Sequence, residues 1–278
     1  MALFTMLLVL LLERSHLLPT NWRLERWWQD TEQRDSDRRI LGDWRWELLR
    51  PLLPALATAV LLALIDDLLW GSLSLLMWLL VLAACIGQPQ LRRYYHDLIR
   101  AGCRGDDTAQ ALHEDELRST LGASAAPLTS LAQVLFWCNF RYYAAPLLLA
   151  ALAGPVAVVL YVSLWHVLQQ RDDLHPRAQL IYGHLLAAVE HILVRISGLM
   201  YVVVGDFSRG FTCWLHSLYE WRQPPAQLLA TIATATADSE ALRHSPLVSA
   251  CHSVTLAKRH ITGLLVLVAL LTIYGWVL

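Results

Sequence analysis

The sequence predicts an all-α, polytopic membrane helical bundle of four to five spanning helices with cytoplasmic helical loops. Three observations carry that prediction. Of 278 residues, 56% are apolar or aromatic and only 16% charged, with a formal net charge of −1; soluble domains sit near ~45–50% apolar and ~25% charged. Several charge-free runs approach or exceed the ~20 residues a helix needs to cross ~30 Å of hydrocarbon. The arginines gather between those runs. The same figures exclude a disordered chain, which needs low hydrophobicity and high charge, and a nucleic-acid partner, which needs a net basic surface.

The elements follow in order. Met1 to Leu12 is an apolar run that stops at Glu13-Arg14. It has no basic start and no small-residue cleavage site, which is poor signal-peptide chemistry. It is also short for a span, so the expectation is a helix dipping into the bilayer or packing on the bundle. Residues 13–50 form a cytoplasmic juxtamembrane region with five tryptophans between Asn21 and Arg50, where seven Arg balance seven Asp/Glu. Trp belongs at headgroup level, half apolar and half wet. An interfacial helix hairpin is the favoured reading, and a docking surface for a cytoplasmic partner the other.

Pro51–Ile65 and Leu68–Leu91 are charge-free and read as a tight hairpin of spans around Asp66-Asp67 and Trp70-Gly71-Ser72, which is turn chemistry. The paired carboxylates mark a water interface more readily than a catalytic site. Residues 88–141 form a cytoplasmic loop. Within it, Arg104-Gly105-Asp106 can open a helix, with Asp107 or Thr108 as its N-cap. Tyr142–Gln170 and Ile261–Leu278 are further uncharged spans. Gln179–Phe207 is ambiguous, because it is mostly apolar yet holds Glu190, His191 and Arg195, and a mid-bilayer Arg costs ~2.5–3.5 kcal/mol on insertion scales.

Orientation follows from cations in short loops. Residues 13–50 carry eight Arg and 88–141 carry six, which places both in the cytoplasm. Counting Gln179–Phe207 as a fifth span returns 208–259, with Arg209, Arg222, Arg243, Lys258 and Arg259, to the same side. That arrangement is preferred. The whole, 1–278, reads as a single membrane domain.

Candidate chemistry is sparse. The five cysteines are single and scattered, with no metal-ligand spacing, and neither metal nor cofactor is expected. Nucleophile-elbow, zincin, Walker and dinucleotide motifs are absent, and the apolar segments do not form matching halves as in repeat transporters. The sharpest feature lies in Gln179–Phe207. At ~100° per residue, His191, Arg195, Gly198 and Asp206 fall within ~40° of His184, a polar stripe interrupted at Val202. Ionisable groups inside a membrane are functional candidates by default. A structural network is the equal alternative, with Arg195 or a histidine neutralised by a carboxylate such as Glu190. Arg92, Arg93, Arg100 and Arg104 suit an anion, which Arg grips bidentately, or lipid headgroups. Asn139 and Arg141 stand at the start of an uncharged span beside aromatic anchors.

A set of short motifs runs the full length of the chain in a fixed order and spacing. They are Leu3-Phe4-Thr5 with Leu7-Leu8-Val9-Leu10 and Glu13-Arg14, then Cys85-Ile86-Gly87. Asn139-Phe140-Arg141-Tyr142-Tyr143 with Ala145-Pro146, Val194-Arg195 and Leu270-Leu271-Thr272-Ile273-Tyr274-Gly275 follow. In these the chain resembles the AmpE family. The resemblance implies a bacterial inner-membrane protein, encoded beside the amidase AmpD, tied to β-lactamase regulation and the response to cell-wall disturbance. The family is distantly similar to the CobD/CbiB membrane proteins of cobalamin biosynthesis, through Arg104 with Asp106, Asn139, Pro146 and Arg195. The N-terminus departs from that pattern, with only Glu13-Arg14 in place of an Asp/Gly/Pro/His-rich opening.

Three hypotheses follow. The preferred one is a non-catalytic regulator with a pocket near the cytoplasmic face for a small anionic ligand, bound by residues among Glu13, Arg104, Asp106, Asn139, Arg141, His184, His191 and Arg195. The runner-up is a CobD/CbiB-like enzyme, with Arg104, Arg141 and Arg195 clamping an anion and Asp106 or Glu13 holding a metal or acting as base. A conduit along the His184/His191/Arg195 stripe is third.

Overall fold

The computed structural model describes residues 2–14, 49–66, 72–87, 89–169, 175–237 and 246–275. The tryptophan-rich stretch up to Leu48 and the expected turn at 67–71 lie outside them. Among the described residues every regular element is helical, as the sequence predicts. The chain divides into two compact units, each assembled from separated segments: Met1–Gly87, Pro146–Leu186 and Val268–Leu278, and Gln88–Ala145 with Ala187–Leu267.

In the first unit, α1 (Ala2–Arg14) packs along α3 (Ser72–Cys85), and α2 (Leu52–Asp66) also meets α3. The N-terminal run is thus a helix on the bundle. It buries Thr5, Met6, Val9 and Glu13, spaced by three to four residues or adjacent, so they form one stripe. Its other face exposes Phe4, Leu7 and Leu11, and α2 likewise exposes Leu53, Leu56, Val60 and Leu64. Exposed rows of large apolar side chains of this extent suit lipid. Helix α3 stops at Cys85 because Gly87 turns the chain with φ +76°. A Cβ at Gly87 would lie 2.5 Å from Glu13 Oε1, so this glycine also lets the Glu13 carboxylate close against the backbone. α7 (Ala145–Gln169) is broken at Gly154 (φ 81°), followed by Pro155, which has no N–H for the helical ladder.

The second unit starts with a helical hairpin of α4 (Pro89–Arg104) and α5 (Asp107–Leu121). Leu91, Leu98, Ala101, Leu117 and Leu121 are buried in it. Arg118 ties the end of α5 to the next segment, bonding Glu114 at 2.7 Å and the Leu128 carbonyl at 2.8 Å. α6 (Leu131–Asn139) opens with a capping box, Ser130 and Gln133 satisfying each other's backbone N–H groups. It continues into a π-helical turn, Phe140–Ala144, in which the Ala145 N–H reaches the Phe140 carbonyl. Pro146, with no N–H, follows at once. The C-terminal part of α8 (Pro176–Val204), then α9 (Phe207–Tyr219), α10 (Pro225–Thr236) and most of α11 (Pro246–Ile273) complete the unit.

Among the described residues, three helices are long and apolar enough to cross a membrane: Leu131–Gln169, Pro176–Val204 and Val248–Ile273; the number is up to four if the pair Leu73–Cys85 and Gln90–Arg104 makes one span. The chain is a multi-pass membrane protein. The ambiguous stretch is therefore among the long helices, while the expected span at Pro51–Ile65 is occupied by α2, a shorter apolar helix of 15 residues, about 22 Å. α8 is apolar outward and polar inward: Ile192, Leu199 and Val203 are exposed, whereas Glu190, His191, Ser197 and Tyr201 are buried.

The stripe also ends sooner than expected. Gly205 closes α8, its N–H bonded to the Tyr201 carbonyl, and Asp206 is the N-cap of α9, accepting from the N–H groups of Ser208 and Arg209. Asp206 therefore belongs to the next element. Likewise Asp106, not Asp107 or Thr108, caps α5, because Gly105 (φ 70°) turns the chain one residue earlier.

Candidate functional site

Two buried polar clusters organise the second unit, and α8 contributes to both. The first is centred on Arg141, in the π-helical turn. Its Nη2 donates to Glu190 Oε1 at 2.7 Å, and the two side chains are 4% and 7% exposed. Nη1 donates to Ser124 Oγ at 2.6 Å, and that oxygen also accepts from Trp137 Nε1 at 3.1 Å. The guanidinium carbon lies 5.4 Å from the centre of the Trp137 ring. An ion pair removed from water this completely is stable only while both charges remain paired and hydrogen-bonded.

The second cluster links three helices through neutral groups. Asn139 Nδ2 donates to Tyr201 Oη at 3.1 Å and faces His260 Nδ1 at 3.2 Å. An amide nitrogen only donates, so His260 Nδ1 accepts and carries its proton on Nε2. That nitrogen donates to Ser197 Oγ at 2.8 Å. The Tyr201 and His260 rings stack nearly parallel with centres 3.9 Å apart.

One turn beyond Glu190 and His191, Arg195 reaches a different set of partners. Nη1 donates to the His191 carbonyl at 2.9 Å, and Nη2 to the carbonyls of Ser217 and Glu220, each at 3.3 Å. The latter two close the C-terminal end of α9, where exposed carbonyls favour a cation. Trp214 Nε1 returns a bond to the Arg195 carbonyl at 2.9 Å. The Trp221 ring lies 4.0 Å from the guanidinium carbon and 5.7 Å from the centre of the His191 ring.

The remaining candidates lie elsewhere. Glu13 is buried in the first unit against Gly87. His184 is exposed on α8, in the portion belonging to the first unit. Arg104 and Asp106 are exposed at the turn between α4 and α5, where Arg104 Nε donates to the Arg100 carbonyl at 3.2 Å. The Ala109 N–H and the Thr108 hydroxyl, at 3.0 and 2.7 Å, hold the Asp106 carboxyl below the usual carboxylate range. In the second unit, then, the fold brings Arg141 to Glu190, Asn139 to Tyr201 and His260, and His191 with Arg195 to Trp221. Arg104, Arg141 and Arg195 each have separate partners rather than one shared anion cradle. Among the described residues, no three His, Cys, Asp or Glu side chains gather as a metal site, and the cysteines are free thiols.

Sequence reasoning missed Ser124, Trp137, Ser197, Tyr201, Trp221 and His260. His260 had one usable signal: an uncharged polar residue directly before a charge-free run is positioned to enter the bundle with it.

The profile of one protein family, described as "Regulatory signalling modulator protein AmpE", matches residues 1–278. The chain belongs to the AmpE family. It is similar to Protein AmpE of Shigella flexneri, with 31% identity and 99% of each chain covered. No solved structure matches. This AmpE-family chain is thus a regulatory membrane protein by family, with its polar core in the helices that carry Asn139, Arg141 and Arg195.

Proposed function

We propose that this protein modulates β-lactamase induction from the inner membrane, in functional connection with the amidase AmpD, and that it acts by binding a small anionic ligand rather than by catalysis. The observation that carries the proposal is the end-to-end match to a family of regulatory signalling modulators. The internal commitments of the arginines support the non-catalytic part. Arg141 is bonded to Glu190 and the Nη groups of Arg195 to backbone carbonyls, so the two arginines serve separate partners and do not converge on one group as a transfer clamp would. Signalling asks for less, since a ligand need only bind two packings of the bundle unequally.

The test is a clean deletion in the native host, complemented with the intact gene and with Arg195→Ala. Basal and inducer-stimulated hydrolysis of a chromogenic cephalosporin is the readout. The deletion should change the induced-to-basal ratio and the intact gene should restore it. Unchanged basal and induced activities in the deletion would overturn the proposal.

A further inference from the structure

Among the described residues, Arg195 is a cation with no carboxylate counter-ion. It is half-buried on α8, and among the described residues no carboxylate pairs with it; the nearby Glu220 carboxylate turns instead to His216 at 3.6 Å. Its two Nη groups are occupied by carbonyls, which solvate the charge but do not cancel it. Its Nε is buried with no hydrogen-bond partner among the described residues. One helical turn earlier, His191 is only 8% exposed, and its Nδ1 is likewise buried and unpartnered. Residues four apart share a helix face. Two buried, unsatisfied nitrogens therefore belong to neighbouring side chains on one helix face, beside a positive charge that has no carboxylate partner among the described residues.

One ring touches both side chains. Trp221 contacts the Arg195 guanidinium and the His191 ring, yet it is itself 61% exposed. It sits in the short non-helical link between α9 and α10, followed by exposed Arg222. A tryptophan on a link can move without unwinding a helix. Arg222 adds a second positive charge at the outer edge.

We infer that His191 and Arg195 form an oxyanion site, covered by Trp221, that takes the carboxylate or phosphate group of a small ligand or a lipid headgroup. This inference names the place and chemistry of the anionic ligand in the proposed function, and rests on that reading. Displacement of the Trp221 ring opens the two donors. The anion accepts from Arg195 Nε and His191 Nδ1 and supplies the missing negative charge, while the carbonyl bonds of Ser217 and Glu220 keep the guanidinium in place. Because those same bonds fix the end of α9, occupancy is transmitted to α9 and to the link that carries Trp221.

The experiment uses the full chain in phosphatidylcholine nanodiscs, labelled with 5-fluorotryptophan and followed by fluorine NMR. The chain has 12 tryptophans, and loss of one resonance in Trp221→Phe assigns the reporter. Inorganic phosphate and acetate are titrated separately, against chloride at matched ionic strength. The Trp221 resonance should shift saturably with phosphate or acetate and not with chloride. His191→Phe keeps a ring against Trp221 but removes the donor, and should weaken the response roughly tenfold, the value of one hydrogen bond to a charged group. Arg195→Lys keeps the charge but lacks Nε; it is the second variant should the first misfold, and should weaken the response similarly. A parallel sample containing phosphatidylglycerol identifies a headgroup as the occupant if Trp221 shifts without added anion. No saturable shift under any of these conditions, an equal response to chloride, or unchanged binding in both variants overturns the site. The readout is independent of induction, so a failed titration removes this site without touching the regulatory role, and an unchanged deletion phenotype removes the role without touching the site.

Discussion

Glu190→Leu isolates the buried charge on Arg141. With the two side chains 4% and 7% exposed and joined at 2.7 Å, removal of the carboxylate takes the ion-pair partner from a guanidinium inside the protein; the Ser124 hydroxyl and the Trp137 face are among its other contacts, and neither carries a charge. Breaking a buried pair from one side costs about 3–5 kcal/mol, and the low exposure places this pair at the full effect. Arg141→Met, which takes the guanidinium from Glu190 and forfeits the Ser124 and Trp137 contacts, should cost at least as much. The double variant, Arg141→Met with Glu190→Leu, removes both charges and fills the space with apolar side chains. It should be more stable than the sum of the single effects by at least about 2 kcal/mol, within the range measured for directly coupled residues. Equilibrium unfolding in mixed micelles on titration with SDS, followed by circular dichroism, measures all four proteins. Single effects that add to within about 0.5 kcal/mol would refute the claim that the two residues form one electrostatic unit.

Three further outcomes can be checked. Asn139→Ala should destabilise by about 1–3 kcal/mol in the same unfolding assay, since it leaves Tyr201 Oη and His260 Nδ1 without their recorded amide donor; His260→Phe on that background should add less than it does alone. Gly87→Ala should lower stability by at least about 1–2 kcal/mol, because alanine is strained at φ +76° and its methyl would meet Glu13; a neutral result in a thermal-shift measurement would refute the close approach. The Asp106 carboxyl is held below its ordinary value by the Ala109 N–H first and the Thr108 hydroxyl second. Its stabilisation is therefore complete above the unfolded value, about pH 3.9, and is lost as pH falls through the lower folded value. Asp106→Asn, which still caps a helix but cannot ionise, should flatten the stability profile in that acid range, so that its deficit against the native chain is full near neutrality and disappears in acid.

The α bundle and its long helices were legible because charge-free runs report burial in lipid directly. Helix ends were legible where a residue's backbone chemistry decides them. Gly205-Asp206 is a stop followed by a cap, and reading it so would have ended α8 before Asp206. The polar core was half legible. Asn139, Arg141, His191 and Arg195 stand out because insertion into a membrane penalises them, but their partners do not follow from local spacing. Glu190 was weighed as a neighbour of Arg195 on one helix, whereas it pairs with Arg141, 49 residues away. Asn139 meets His260 across 121 residues. Pairings of that kind depend on which helix faces which, and hydropathy carries no information about it.

The π-helical turn at Phe140–Ala144 has a consequence for how this segment tolerates change. On a regular helix, residues two apart point about 160° away from each other, so Asn139 and Arg141 serve separate polar groups. The widened turn holds one more residue than an α-helical turn would. Deleting one residue within it would therefore leave an ordinary α-helical turn, not a helix rotated by a whole residue. Asn139 keeps its place at the end of α6, and the contact at risk is the reach of Arg141 to Glu190. A point substitution in this stretch tests one contact, whereas a single-codon deletion tests whether the wide turn itself is what aims Arg141.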